Sequence, residues 1–201
     1  MTQPSKVFIA YGEEDKEFAE SIYESVEKLG LECYAFTKVH RSGNWIPETD
    51  LEEIKSSEYF VVIITSNSIN SQWVNQEIGV AYALGKRFIP ICEENIISEI
   101  KGFIQNVECI RYRTGSYSNE EECISEIVLK LREEKKIDKV KIVCKCGTKH
   151  ILNLPPLDSH REFVKGDDKV LVYEHCSICG NRLIICPLTL KVIDTVEWGE
   201  K

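Results

Sequence analysis

Short β-rich runs alternate with amphipathic stretches from Lys6 to Glu93, the order expected of a βαβ chain built on a parallel sheet. Val7-Phe8-Ile9-Ala10 reads as the first strand. Between Glu13 and Leu29, Phe18, Ile22, Val26 and Leu29 recur three or four apart, which predicts a helix with one buried stripe. Acidic Glu13, Glu14 and Asp15 suit its N-terminus, and Gly30 can close it. Leu31 to Phe36 reads as a second strand, followed by the polar loop His40-Arg41-Ser42-Gly43-Asn44. A short helix from about Thr49 to Ser56 leads to Tyr59–Ile64, a continuous apolar run typical of a central strand buried on both faces.

The pattern continues with a helix over Ile69–Leu84, a strand at Phe88–Cys92, a weaker helix at Ile97–Gln105 and a strand at Val107–Tyr112. Ser118 and Glu121 stand at capping-box spacing before a last helix whose apolar face is Cys123, Ile124, Ile127, Val128 and Leu131. That helix runs out in the charged stretch Arg132–Lys136. Beyond it, Val140–Val143, Lys169–Tyr173, Leu183–Ile185 and Leu190–Val196 read as short strands.

Charge changes the picture by suggesting where one domain stops. Residues 1–136 hold 15 Lys and Arg against 24 Asp and Glu, a balance of −9, whereas the remaining 65 residues hold 10 against 9. This predicts one domain over 1–136 and a smaller one over 137–201, and the acidic first part argues against a general polyanion binder. Met1–Lys6 contains no apolar core of a signal peptide. The longest apolar run is far below the roughly 18 residues that span a bilayer, so a cytoplasmic protein without a membrane is expected.

Several strings stand in a set order along the chain, and together with those that follow them resemble a known family. They are Val7-Phe8-Ile9-Ala10-Tyr11 with Glu14-Asp15-Lys16, the loop around Gly43-Asn44-Trp45, Ile54 with Ser57, and Val62-Ile63-Ile64-Thr65-Ser66. Ser71-Gln72-Trp73-Val74-Asn75-Gln76-Glu77-Ile78-Gly79, Ala81-Tyr82-Ala83 and Ile89-Pro90-Ile91 follow in order. The ordered set resembles a bacterial or archaeal Toll/interleukin-1-receptor (TIR) domain, which implies a flavodoxin-like α/β fold with five parallel strands and, in many prokaryotic members, cleavage of NAD+ at the nicotinamide N-glycosidic bond. It places the catalytic glutamate of a W-x-x-x-E string at Glu77. Relatives usually have a serine before the first-strand aromatic, where this chain has Ala10 before Tyr11.

The chemistry suits that assignment. Ligands of doubly wound sheets sit beyond the carboxyl ends of the strands, so Tyr11, Gly12 and Ser66 are expected to rim a crevice. Trp73 and Glu77 lie one helical turn apart on one face, beside a core stripe of Val74, Ile78 and Ala81. Loss of nicotinamide passes through an oxocarbenium-like state that a ribose-facing carboxylate stabilises, and the cationic leaving group requires no strong acid. Tyr11, Phe36, Trp45 and Trp73 are candidates to stack on a planar ring, with Ser42 and Asn44 in the loop that in relatives bridges neighbouring subunits. No G-x-G-x-x-G follows the first strand, so NAD+ is expected as substrate and not as a held redox cofactor. Cys33, Cys92, Cys109 and Cys123 read as small buried hydrophobes, not nucleophiles.

Four further cysteines carry a separate signal. Cys144-Lys145-Cys146-Gly147 and Cys176-Ser177-Ile178-Cys179-Gly180 are separated by 29 residues, and each pair ends in glycine. Paired thiolates on two tight turns suit a tetrahedral Zn2+, and the pattern resembles a zinc ribbon. A closed four-cysteine site has no open position for chemistry, so the expected zinc is structural. His150, His175 and Cys186 are alternative ligands that read more simply as loop or strand residues. The near-neutral charge and lack of a dense basic cluster argue against nucleic acid.

The leading reading is therefore an NAD+ glycohydrolase or ADP-ribosyl cyclase in antiviral immune signalling, active as a homo-oligomer through TIR–TIR contacts. A trigger protein or downstream effector is its expected partner. The alternatives are a non-enzymatic TIR adaptor and an enzyme like a nucleoside deoxyribosyltransferase, whose related sheet also uses a glutamate.

Overall fold

The computed structural model describes residues 5–35, 48–115, 117–157, 172–186 and 189–196. The first unit comprises Met1–Glu27 with Leu31–Cys123, and the second comprises Lys28–Gly30 with Ile124–Lys201.

In the first unit, β1 (Lys6–Ala10), β2 (Glu32–Ala35), β3 (Tyr59–Ile64), β4 (Arg87–Glu93) and β5 (Ile110–Tyr112) form one parallel sheet in the order β2-β1-β3-β4-β5. All six residues of β3 are buried, which explains its unbroken apolar run. Phe8, Ala10, Phe60, Val62 and Ile64 pack on one face against Ile54 of α2 (Glu48–Ser56) and Val74, Ile78 and Ala81 of α3 (Gln72–Ala83). Phe8 and Phe60 are register partners whose rings stack at 5.5 Å, and Phe88 meets Phe60 edge-on at 5.2 Å. The alternate residues Val7, Ile9, Val61 and Ile63 are equally buried. Phe18 of α1 (Lys16–Lys28) stacks on Tyr112 of β5 at 4.7 Å.

Three local differences from the sequence reading have physical causes. The helix expected from Glu13 begins as a 3-10 turn, Glu13–Asp15, because Asp15 turns its carboxyl inward to the sheet. The helix expected at Ile97–Gln105 is two 3-10 segments, Glu94–Glu99 and Gly102–Ile104; its β-branched isoleucines give little helical drive, and the segments bury Ile96 and Ile104. The strand expected from Val107 shortens to Ile110–Tyr112, since it pairs only with Ile91, Cys92 and Glu93 at the end of β4.

α4 (Tyr117–Lys135) spans the division between the units, and Ser118 lies inside this helix, not at its cap. In the second unit β6 (Lys139–Val143) pairs antiparallel with β7 (Lys149–Asn153). β7 was not expected from the sequence: among its five residues only Leu152 is fully buried, so its alternation is faint. β8 (Val172–His175), β9 (Arg182–Ile185) and β10 (Val192–Val196) form an antiparallel sheet in the order β10-β9-β8. Arg132, only 2% exposed, donates to the carbonyls of Ile137 (3.2 Å) and Pro155 (2.7 Å), which anchors the end of α4 to the flanks of the β6–β7 hairpin. Among the described residues no helix is long and apolar enough to cross a membrane.

Candidate active site

The turn after β3 sets the direction of α3. The Thr65 N–H donates to Ser68 Oγ (2.8 Å), the Ser68 hydroxyl donates to the Ile63 carbonyl (3.0 Å), and Ser71 accepts from the Val74 N–H as N-cap. Asn75 reinforces the start of the helix by donating to the carbonyls of Ile69 (3.0 Å) and Ser71 (2.9 Å). With Val74, Ile78 and Ala81 turned to the sheet, Trp73 and Glu77 share one flank of α3. The Trp73 indole Nε1–H donates to Glu77 Oε1 at 2.7 Å, the contact their spacing allows.

Glu77 is only 4% exposed. A buried carboxylate is costly unless polar groups hold it, so its place beside the core calls for a role. Two polar groups absent from the site expected from the sequence lie on β2 and on α2, which packs against α3. Tyr34, on β2, stacks on Phe8 and donates its hydroxyl to Asp50 Oδ1 of α2 at 3.0 Å. Asp50 is 1% exposed. Burial, then the Asp50 hydrogen bond and the negative charges of Asp50, Glu53 and Glu77, hold the Tyr34 phenol far above its ordinary range. Both residues left a faint signal in the sequence. Tyr34 alternates with Cys33 on a strand, and Asp50 stands four residues before buried Ile54, on the same helical stripe.

The carboxyl ends of the strands hold a second polar cluster. Thr65 donates its hydroxyl to Asp15 Oδ2 at 2.9 Å, and Glu93 accepts from the Ser66 N–H and the Thr114 hydroxyl, each at 2.6 Å. Burial would raise Glu93, but these hydrogen bonds outweigh it and hold its carboxyl below the usual value. Asp15 goes the other way: burial raises it to about 6, the Thr65 bond opposes, and the charges of Glu14 and Glu93 add to the rise.

A raised carboxyl binds its proton more tightly in the folded state. The stability Asp15 contributes is thus fully present below pH 3.8 and is lost as pH rises through about 6. The melting temperature is expected to drop by a few degrees between pH 5 and 7. Asp15→Asn, which keeps an acceptor for Thr65, should flatten that step; an identical step in both proteins would refute the assignment.

Gly12 and Ser66 belong to this strand-end cluster. A Cβ at Gly12 would sit 3.0 Å from Ser68 Cβ and 3.3 Å from Asp15 Oδ2, so the two loops pack directly on each other there. Tyr11 beside it is half-buried and Ser66 is exposed. Phe36, Ser42, Asn44 and Trp45 lie outside the described residues. On the opposite flank of α3, a cavity of about 480 Å3 is lined by Ile64, Val74, Ile78, Ile100 and Ile104 under a polar rim; Trp73 and Glu77 are not among its walls. Cys33 and Cys92 have thiols pushed far up by burial, and Cys123 is buried, which suits packing and not nucleophilic attack.

In the second unit the four cysteines converge. The sulfur atoms of Cys144, Cys146, Cys176 and Cys179 all lie within 4.8 Å of one another, with Cys144–Cys179 at 3.6 Å and Cys146–Cys176 at 3.5 Å. A tetrahedron of Zn–S bonds near 2.3 Å sets sulfurs about 3.8 Å apart, whereas a disulfide needs about 2.05 Å. The donor set therefore fits a tetrahedral metal. Each pair sits on a tight turn closed by its glycine: Gly147 N–H returns to the Cys144 carbonyl (2.8 Å) and Gly180 N–H to that of Cys176 (2.9 Å). Both glycines have left-handed φ, 87° and 74°, which other residues rarely adopt. The Cys179 backbone N–H, acting against burial and aided by Ile178 N–H, Cys179 and His150, pushes Cys176 down to about 5. His150 does not join the converging four. His175 is exposed, and Cys186 is half-buried outside the cluster.

Fold and residue order agree with a known family. Residues 7–140 match the TIR domain family, and the chain belongs to it. A probable 2' cyclic ADP-D-ribose synthase, TcpO, of Methanobrevibacter olleyae is 27% identical over 133 residues. The match covers 64% of this chain, which spans about two fifths (39%) of that relative's length. Among solved structures, the TIR domains of the activated Roq1 resistosome that recognises the effector XopQ superpose with a TM-score of 0.50 at 15% identity, covering 63% of this chain and 99% of that one. The TIR domain of the Toll-related receptor TRR-2 of Hydra magnipapillata gives 0.42 at 19% identity, covering 53% and 82%.

Proposed function

We propose that the chain cleaves the nicotinamide N-glycosidic bond of NAD+ and yields ADP-ribose or a cyclic isomer of it. The observation that carries this reading is Glu77: a carboxylate 4% exposed, held by the Trp73 indole at 2.7 Å, on the first helix after the central strand. In that position it faces the ribose, neutralises the developing oxocarbenium charge and binds ribose hydroxyls. Tyr11, Gly12, Ser66 and Trp73, with Phe36, Ser42, Asn44 and Trp45, make the substrate contacts. The name borne by the Methanobrevibacter relative supports the reading and favours a cyclic product.

In this account residues 1–136 are the catalytic domain and 137–201 a zinc-ribbon-like domain, with structural zinc held by Cys144, Cys146, Cys176 and Cys179. The protein works in the cytoplasm in defence signalling, assembling with copies of itself so that one subunit completes its neighbour's site. The test is incubation of the full chain with NAD+ over a wide range of protein concentration, with products identified by mass. Nicotinamide should appear together with ADP-ribose or a product one water lighter, at a specific rate that climbs with concentration. NAD+ left intact at the highest concentration would leave the scaffold reading in possession.

A further inference from the structure

We infer that Tyr34 and Asp50 form a proton relay for the hydroxyl that captures the ribosyl cation, with Tyr34 as a second catalytic residue and Asp50 as the group that positions and discharges it. The inference rests on the reading of Glu77 above and deepens it. Its basis is a pair of buried carboxylates, Glu77 (4% exposed) and Asp50 (1%), on helices α3 and α2, which pack against each other. Tyr34 stands in this group: its hydroxyl donates to Asp50 Oδ1 at 3.0 Å, and its ring packs against the core that Val74 and Ile78 of α3 share with Ile54 of α2.

Two duties of the site require opposite behaviour from a carboxylate. One must stay ionised beside the cation until that cation is quenched; the other must accept a proton as the hydroxyl attacks. Glu77 suits the first, its Oε1 already receiving the Trp73 N–H. Asp50 suits the second, and Tyr34 reaches it, because a phenol both donates and accepts. Burial and the surrounding carboxylates keep the phenol protonated, so it begins as donor to Asp50, as a relay requires.

The step balances. The bond from the ribose anomeric carbon to nicotinamide breaks, and its electron pair leaves on neutral nicotinamide. A hydroxyl oxygen, from water or from the distal ribose, supplies the pair for the new C–O bond. Its proton passes to Tyr34 Oη as the Tyr34 proton passes to Asp50, which later returns it to solvent. No oxidant or reductant enters.

A competing nucleophile without a proton separates this role from a structural one. A free pyridine base such as 3-acetylpyridine can take nicotinamide's place through its ring nitrogen, and that exchange needs no relay. Wild-type, Tyr34→Phe and Asp50→Asn chains would be incubated with NAD+ and 3-acetylpyridine, and hydroxyl-captured products measured against the exchanged dinucleotide. General-base assistance is worth about 100-fold or more. Each variant should therefore lose about 100-fold in ADP-ribose plus cyclic product while exchange persists. Asp50→Asn keeps an acceptor for the Tyr34 hydroxyl and decides the matter if Tyr34→Phe does not fold. Loss of both product classes in step, or unchanged hydroxyl capture, overturns the relay while leaving Glu77 in place. A wild-type chain that neither releases nor exchanges nicotinamide overturns the reading of the site and the relay with it.

Discussion

A chain carrying Cys176→Ser and Cys179→Ser together is expected to bind no zinc and to lose the fold of the second unit. The four sulfurs already stand within 4.8 Å of one another, and both turns that carry them are closed by backbone hydrogen bonds to left-handed glycines. Around them, among the residues whose burial is described, the buried apolar set of the β6–β10 region comprises mainly Val140, Ile142, Leu152, Leu183, Ile185 and Leu190. A core of that size is marginal, whereas a structural zinc contributes about 10–16 kcal/mol of apparent binding free energy at neutral pH. Metal analysis of the purified chain should give one zinc for the wild type and none for the variant. Amide exchange over 139–153 should accelerate at least tenfold. Zinc retained in full by the double variant would reject this ligand set.

Glu77→Gln should cut nicotinamide release by about a hundredfold or more while leaving the fold intact. The amide oxygen still accepts the Trp73 N–H, so the 2.7 Å contact has a successor; only the negative charge proposed to face the ribosyl cation is lost. Removing one preorganised electrostatic partner of a developing charge costs about 10²–10³ in rate. Stability should hold or rise, because a carboxylate 4% exposed is replaced by a neutral group of the same shape. A variant that unfolds would instead mark Glu77 as a structural anchor.

How much of this was legible in the sequence depends on which physical signal each element left. Tyr59–Ile64 and the Trp73–Glu77 pair were readable because a strand buried on both faces is apolar throughout, and a helix repeats its face every turn. The cysteine cluster was readable because tight turns with terminal glycines have few other uses. Tyr34 and Asp50 escaped notice because their meeting is tertiary: they are 16 residues apart, on a strand and a helix, and a hydrogen bond formed only in the folded chain joins them. The Asp15–Thr65 contact, across 50 residues, was hidden for the same reason, and there acidic side chains at a helix start read simply as dipole partners. β7 and the short β5 were weakly patterned because edge strands with few buried residues leave little alternation to read.

The most direct measurement is nicotinamide release from NAD+ by concentrated wild-type chain and by Glu77→Gln, run side by side on proteins shown by circular dichroism to be equally folded. Steady release is expected from the wild type and at least a hundredfold less from the variant. Equal release from the two, or none from the wild type, would contradict the catalytic role of Glu77.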